Sequence, residues 1–388
     1  MRNVENSALK IERARELNRL ACEDISQGEI ESASEKLLHA IRLAPTLAAP
    51  HTNLGVLYCW EGKLDEAITL HLKARHLDPN LSAPHTNLGV AYAWNGQLDF
   101  AIRSVKTALQ FNPNSAEAHT CLGFIYISQG DIDTAIASTQ EAIRLGDGGE
   151  ARSNLGLIYT WQGQFDKAVV LYKKAIETDP TLAEPHNNLG LLYMFKGEID
   201  KAIKAFRTSI DLDGGEEPHT NLGLLYMWQE DFDNAISLHQ EALEMAPDTT
   251  EVLINLAYTY YSQNKLDEAM KTLKDALRTD PNSAEANNNI GIIHFLQNRT
   301  TEAISSFKKA NTLAEARNNI GIVYYQKGNQ DAAVTEFKAA IQGDNLEEAH
   351  YNLTMITSES ETVDASELQI SPIGAPMGAP AVWCEILH

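Results

Sequence analysis

Residues 50–58 read Pro-His-Thr-Asn-Leu-Gly-Val-Leu-Tyr, and this stretch decides the fold because it recurs along the chain. Near copies stand at 84–92, 185–193 and 218–226. Weaker copies align on the residue equivalent to Gly55, and the ten marker residues are Ala21, Gly55, Gly89, Gly123, Gly156, Gly190, Gly223, Ala257, Gly291 and Gly321. Successive markers are 34, 34, 34, 33, 34, 33, 34, 34 and 30 residues apart. A period close to 34 predicts a solenoid of helical repeats.

Each copy divides into two helices, A and B, as the copy at 48–81 illustrates. Pro50 fits the first turn of helix A, and Gly62 marks the end of that helix. Asp65 opens helix B, where it is placed to accept hydrogen bonds from the unpaired amides of the first turn, and Pro79 follows the end of helix B. One helix pair cannot bury its apolar face alone, so we expect successive pairs to stack.

The order and spacing of six residues in this copy resemble the tetratricopeptide repeat (TPR), namely Leu54, Gly55, Tyr58, Ala67, Ala74 and Pro79. The resemblance covers residues 14 to about 357. It implies an all-α, right-handed superhelical solenoid of about ten helix-turn-helix units plus a C-terminal capping helix. The sequence of helix A is most similar to that of the superhelical repeats of O-linked N-acetylglucosamine transferase, but the chain leaves no room for that enzyme's catalytic domain.

The markers divide the chain into a short N-terminal extension at 1–13, ten repeats, a capping helix at 348–357 and a tail at 358–388. The expected repeats are 14–47, 48–81, 82–115, 116–148, 149–182, 183–215, 216–249, 250–283, 284–313 and 314–347. The 30-residue step between Gly291 and Gly321 requires a shortened helix B or loop. The tail is first acidic and then rich in proline and glycine, which is typical of a flexible linker, and it ends on an apolar segment.

Charge and composition exclude several classes of partner. The chain has 31 basic and 53 acidic residues and a formal net charge of −22, so it would repel nucleic acid and favours neutral or basic peptides. Its four cysteines are far apart, which fits free thiols in a reducing compartment. Residues 1–10 contain no apolar signal core, and no run of 18 apolar residues occurs. These features predict a cytoplasmic protein without membrane insertion.

Helix A positions spaced by four, three and four residues lie on one face, which we call the A-helix stripe; in the copy at 48–81 these are Ala49, Asn53, Val56 and Trp60. Asparagine recurs at the second stripe position as Asn53, Asn87, Asn154, Asn188, Asn221, Asn255, Asn289, Asn319 and Asn352. Aromatic residues recur at the last position as Trp60, Trp94, Trp161, Phe195 and Trp228, and one position earlier as Tyr261. The stripe is therefore the candidate peptide-binding surface.

The asparagine row predicts a mode of binding that does not depend on the sequence of the ligand. An Asn side chain carries a donor and an acceptor, so it can pair with the amide and carbonyl of an extended peptide. The resemblance to the transferase implies the same role, because an asparagine ladder lines the concave groove of that enzyme's repeats; Cys121 interrupts the row here. The alternative is that these side chains brace neighbouring helices. The aromatic residues would add apolar contact area, and packing between adjacent A helices is their alternative role.

Histidine recurs at one position in the first turn of helix A, as His51, His85, His119, His186, His219 and His350. Equivalent positions in adjacent repeats are about 8–10 Å apart, whereas the nitrogens that bind one metal lie about 2.0–2.1 Å from it. We therefore expect these histidines to have a packing role and to form no metal site.

The sequence has no phosphate-binding glycine loop, nucleophile elbow or His-Glu-x-x-His motif, so we expect no catalytic residues, no cofactor and no enzyme activity.

The leading hypothesis is a non-catalytic adaptor that binds extended peptide segments of other proteins in its concave groove. One alternative is a self-assembling structural scaffold, and a second is the recognition subunit of an enzyme complex.

The apolar terminus at 381–388 suggests a further contact. We expect Trp383 and Leu387 to dock either on the last repeats around Tyr325 or on a partner, and the alternative is a frayed chain end.

Overall fold

The computed structural model describes residues 2–146, 148–310, 314–357 and 368–369. Within these ranges the chain forms 21 α-helices and no β-strand, which confirms the all-α prediction. The described residues divide into two compact units, of which the first ends at Leu182 and the second begins at Ala183. No helix in the described ranges is long and apolar enough to cross a bilayer.

The helices are consecutive A and B partners, with odd numbers for A and even numbers for B. The first unit contains α1 (Arg2–Ser26), α2 (Ile30–Leu43), α3 (Ala48–Trp60), α4 (Leu64–Leu77), α5 (Ser82–Trp94), α6 (Leu98–Phe111), α7 (Ala116–Gln129), α8 (Ile132–Leu145), α9 (Glu150–Trp161) and α10 (Phe165–Thr178). The second contains α11 (Glu184–Phe195), α12 (Ile199–Asp211), α13 (Glu216–Trp228), α14 (Phe232–Met245), α15 (Thr250–Ser262), α16 (Leu266–Thr279), α17 (Ala284–Leu296), α18 (Thr300–Lys309), α19 (Ala314–Gln326), α20 (Gln330–Asp344) and α21 (Glu347–Thr357).

Helix pairs stack on their neighbours in both units. Each A helix packs along its own B helix, and within each unit each B helix also contacts the next A helix. Some successive A helices touch directly, such as α3 and α5 in the first unit and α19 and α21 in the second. This confirms the helix-turn-helix arrangement and places the A helices of one unit side by side.

A close approach inside each pair explains the marker glycine. A Cβ atom added to Gly55 would lie 2.6 Å from the ring of His71, and one added to Gly190 would lie 2.5 Å from the ring of Phe206. Glycine thus makes room for the B-helix side chain 16 residues later, which we call the slot residue. The other slot residues opposite a glycine are Val105, Thr139, Tyr172, His239, Phe307 and Phe337. Where the marker is Ala21 or Ala257, the residue 16 positions later is a buried leucine.

The turn between helices A and B is closed by backbone hydrogen bonds around a left-handed glycine. At the end of α3, Gly62 has φ +72°, its N–H donates to the Cys59 carbonyl at 3.0 Å, and the Lys63 N–H donates to the Tyr58 carbonyl at 2.8 Å. A side chain would be strained at this φ, so glycine is favoured at the end of the helix. Helix α4 then begins at once, at Leu64.

This tight turn corrects the expected role of Asp65. The N-cap of α4 is Lys63, so Asp65 lies inside the first turn, and its Oδ1 accepts a hydrogen bond from Asn95 Nδ2 at 3.2 Å. Its carboxylate still lies at the favourable end of the helix dipole. True side-chain caps occur two positions earlier in other repeats, where Asp131 accepts from the Thr134 N–H at 3.2 Å.

The second unit contains the irregular repeat that the spacing of the markers predicts. Helix α18 has 10 residues, whereas α16 has 14 and α20 has 15. This confirms that the 30-residue step shortens a helix B. The last helix, α21, packs on α20 and α19.

Candidate functional site

Four aromatic side chains at the end of the A-helix stripe are exposed to solvent. In the first unit Trp60 is 56% exposed and Trp94 is 47% exposed. In the second unit Phe195 is 42% exposed and Trp228 is 53% exposed. Single exposed apolar residues are common, but their recurrence at one repeat position builds an apolar row on each unit, and such surfaces are typical of binding sites.

Trp161 and Tyr261 differ from these four because both are half-buried. Trp161 packs on the apolar cluster that contains Ile125 and Ile158 of the first unit. Tyr261 packs on the apolar clusters that contain Ile290 and Ile292 of α17, and burial together with Tyr258 raises the pKa of its hydroxyl. Packing between helices, the alternative considered for the aromatic row, therefore describes these two positions.

The nine asparagine side chains of the stripe are all buried or half-buried. Asn53, Asn87 and Asn188 are half-buried. The other six are buried, and they are Asn154, Asn221, Asn255, Asn289, Asn319 and Asn352. Buried amides need hydrogen-bond partners, so their contacts decide what this row can do.

Four stripe asparagines donate to an asparagine of the preceding repeat, and we call each such pair an Asn couple. The Nδ2–Oδ1 distances are 3.0 Å for Asn53 to Asn18, 3.0 Å for Asn221 to Asn187, 3.3 Å for Asn319 to Asn288 and 2.9 Å for Asn352 to Asn318. These bonds join adjacent repeats, so bracing, the alternative role of the row, is present at four positions. Each bond uses one of the two Nδ2 hydrogens of the donor.

The accepting residues of the couples are absent from the sequence-based site. They occupy the position equivalent to Thr52, which directly precedes the second stripe position of their own repeat. A threonine at this position behaves differently, because the Thr52 hydroxyl donates to the Ala48 carbonyl of its own helix at 3.3 Å. The missed residues are Asn18, Asn187, Asn288 and Asn318. The available signal is the Asn-Asn doublet that replaces Thr-Asn at 187–188, 288–289 and 318–319.

The last Asn couple is occupied by a segment of the chain itself. The Gln369 N–H donates to Asn352 Oδ1 at 2.7 Å, and the Gln369 carbonyl accepts from Asn352 Nδ2 at 2.8 Å. The same carbonyl accepts from Asn318 Nδ2 at 3.0 Å. A stripe asparagine thus binds both polar groups of one backbone residue while it remains bonded to its couple partner.

The residue before Gln369 enters an apolar pocket beside the couple. Leu368 is 6% exposed and belongs to a buried cluster with Ile322, Ala333, Phe337 and Ile356. The pocket is built by α19, α20 and α21, and Tyr325 packs against it. The expected docking residues Trp383 and Leu387 lie outside the described residues. Within the described residues, Leu368 makes the contact near Tyr325.

Acidic residues occupy the first stripe position of the second unit. Loss of hydration and the neighbouring carboxylates of Glu216 and Glu184 raise the pKa of Glu217. Loss of hydration and the charge of Glu217 likewise raise the pKa of Glu251. A column of mutually repelling carboxylates beside the Asn row favours cationic groups in a ligand.

The recurrent histidines make local contacts. The His51 ring Nδ1 lies 2.9 Å from the Leu47 carbonyl oxygen, and the His85 ring Nε2 lies 3.1 Å from the Pro79 carbonyl oxygen. His219 Nδ1 repeats the first contact with the Gly215 carbonyl at 2.9 Å. These rings tie the start of helix A to the preceding loop. Among the described residues no group of three His, Cys, Asp or Glu side chains could hold a metal ion.

Family models described as tetratricopeptide repeat or TPR repeat match residues 105–137, 156–197, 183–215, 227–288, 284–317 and 314–342, which together make up more than half of the chain. The chain is a tetratricopeptide repeat protein. Proteins of this family generally mediate protein–protein interactions and are typically non-catalytic. No curated protein matches this TPR protein in sequence.

Solved structures similar to this TPR protein include two tetratricopeptide repeat proteins and yeast Tom70. A thermophilic TPR protein of Thermus thermophilus is 23% identical with a TM-score of 0.44, over 47% of this chain and 99% of that chain. A tetratricopeptide repeat protein of Parabacteroides merdae is 21% identical with a TM-score of 0.49, over 64% and 99%. Yeast Tom70 is 15% identical with a TM-score of 0.49, over 88% and 94%.

Proposed function

We propose that this TPR protein is a non-catalytic adaptor that binds extended, neutral or basic segments of other proteins along the A-helix stripe. The observation that carries the proposal is the contact between Asn352 and Gln369, in which one side chain binds the N–H and the carbonyl of a single backbone residue. Such a contact reads no side chain, so it suits a protein that accepts different sequences.

The couple of Asn221 and Asn187 offers the same groups. Asn221 donates one Nδ2 hydrogen to Asn187, and this bond uses neither the second Nδ2 hydrogen nor the Oδ1 lone pairs of Asn221. Trp228 follows seven residues later on the same helix, which is two turns or about 10 Å along the axis. A peptide bound by its backbone at Asn221 could therefore cover the exposed indole of Trp228.

The chemistry of the ligand follows from the charge of the stripe. Loss of hydration and the neighbouring carboxylates raise the pKa values of Glu217 and Glu251, so a positive charge brought beside them would be favourable. A lysine or arginine of a bound segment would supply that charge, whereas an acidic segment would add to the repulsion. The overall net charge of −22 acts in the same direction at longer range.

The direct test selects ligands from a displayed library of random peptides on the full-length protein and measures their affinity by fluorescence anisotropy. We expect Trp228→Ala to weaken binding of the selected peptides about 30-fold, as expected for an aromatic hot spot worth about 2 kcal/mol. Met245→Ala is the matched control, because Met245 is 50% exposed on helix B of the same repeat. Failure to select any peptide, or equal affinities for the two variants, would refute the proposal.

The exposed aromatic row also favours a second candidate, a scaffold that assembles through copies of itself. Trp60 and Trp94 of the first unit and Trp228 of the second could then be covered by another molecule of the same chain. Light scattering over a concentration series separates the two functions. A molar mass that stays at the monomer value at every concentration excludes the scaffold, and a mass that rises with concentration and falls in Trp228→Ala supports it.

A further inference from the structure

We propose that the Leu368–Gln369 segment is an intramolecular ligand of the A-helix stripe, which a partner segment with a leucine followed by a non-proline residue must displace. Leu368 supplies the selective contact and the backbone of Gln369 supplies the sequence-independent one. The role of a partner rests on the proposed adaptor function, whereas the occupation of the site by the chain itself does not.

The backbone contact has the hydrogen-bond pattern of strand pairing. In an extended residue the N–H and C=O groups point to the same side, and a neighbouring strand binds both. The Asn352 amide replaces that strand, with distances of 2.7 Å and 2.8 Å, and Asn318 Nδ2 adds a third bond to the carbonyl at 3.0 Å. The Gln369 residue is exposed, so these three bonds select its backbone only.

Selectivity comes from the pocket that holds Leu368. Its walls are aliphatic or aromatic side chains of three helices, Ile322 of α19, Ala333 and Phe337 of α20 and Ile356 of α21. A buried polar or charged group would find no hydrogen-bond donor in these side chains, so the pocket favours a leucine-sized apolar residue. Pocket and couple lie one residue apart along the bound segment, which defines a two-residue recognition motif.

The position of the Leu368–Gln369 segment shows that it binds as a ligand and does not simply cap the end of the repeat array. Its polar contacts are made by Asn352, a member of the predicted binding row, and by the couple partner Asn318. These bonds are made by asparagine side chains and not by the unpaired backbone groups at the end of a helix, which an end cap would bind. Ten residues, 358–367, join α21 to Leu368, and a tether of this length maintains an effective concentration in the millimolar range. A partner with the same motif must therefore compete with a ligand that is always present.

The test uses full-length chains that differ only at residue 369. Gln369→Pro removes the N–H that Asn352 binds, because proline carries no backbone N–H. Gln369→Ala keeps the N–H and is the matched control. The probe is a fluorescent peptide of residues 364–373, and the same peptide with proline at position 369 is the control probe.

We expect the probe to bind the Gln369→Pro protein at least tenfold more tightly than the wild-type and Gln369→Ala proteins, because only the proline variant vacates the site. The control probe should bind none of the three chains above background. Equal binding of the probe to all three proteins, or no binding to the Gln369→Pro protein, overturns the proposal.

A second measurement needs no peptide. With 15N-labelled glutamine, hydrogen exchange at the Gln369 amide should be at least tenfold slower in the wild type than in Leu368→Ala, whose pocket contact is lost. Equal exchange rates overturn the intramolecular contact whatever the adaptor binds. Slow exchange together with failure of the library selection overturns the adaptor function alone, so the two proposals fail in distinguishable ways.

Discussion

Two histidines occupy slots that take aromatic rings in other repeats, and their replacement by phenylalanine should remove an acid sensitivity of the fold. His71 and His239 are fully buried, and neither ring nitrogen of either residue has a hydrogen-bond partner among the described residues. Equivalent slots hold Tyr172 and Phe206, which approach the marker glycine as closely as His71 does. Phenylalanine therefore fits the slot without a polar group that needs a partner.

The magnitude follows from burial of the imidazole. Burial lowers the pKa of His71 and of His239 to about 4, from an ordinary value of 6.5. Below pH 6.5 the unfolded chain takes up protons at these residues before the folded chain does, so the free energy of unfolding falls as the pH drops from about 6.5 to about 4. A difference of about 2.5 pKa units corresponds to about 3 kcal/mol for each histidine. At neutral pH the unpaired imidazole also costs about 1–3 kcal/mol.

The assay compares the wild type with His71→Phe and with His239→Phe, which test the first and second units separately. Hydrogen exchange in α3–α4 and in α13–α14 reports the local free energy of opening at pH 7.5, 6 and 5. We expect each variant to be more stable than the wild type and the gain to grow as the pH falls. His76→Gln is the control, because His76 is exposed on α4. Parallel pH curves for the wild type and the variants would refute the reasoning, as would a loss of stability at pH 7.5.

Two substitutions and one labelling experiment test the packing. Gly190→Ala should cost about 1–3 kcal/mol, because the new Cβ would lie 2.5 Å from the Phe206 ring, and adding Phe206→Leu should recover part of that loss in chemical denaturation. Asn221→Ala should lower the free energy of unfolding by about 1–3 kcal/mol, since it leaves the buried amide of its couple partner without this bond; an unchanged denaturation midpoint would contradict the contact. Burial raises the pKa of the Cys59 thiol to about 11, so at pH 8 a maleimide should label the exposed Cys22 at least tenfold faster than Cys59. Mass spectrometry of the labelled peptides measures both rates, and equal rates would contradict the burial of Cys59.

The sequence alone determines the helix pairing because the signals for it are local. Glycine at position 62 ends one helix, Pro79 follows the next, and the 34-residue period sets the number of pairs. A helix terminus depends on residues within one turn, so it can be predicted without knowledge of the neighbours. The same reasoning predicts the short α18 from a 30-residue step. It misplaces the cap at Asp65 because a shift of two residues in the start of a helix changes the role of a side chain.

Only the tertiary structure decides which polar groups meet between repeats. The bond from Asn221 to Asn187 joins residues 34 apart, and the bond from Asn318 to Gln369 joins residues 51 apart. The sequence identifies the stripe asparagine, but whether its side chain finds a hydrogen-bond partner depends on how one A helix packs against the next. That packing depends on the close fit of all the side chains between neighbouring helices of a unit, and no local pattern contains it. For the same reason the sequence draws attention to the apolar terminus at Trp383, whereas the structure places a leucine from a polar stretch in the pocket.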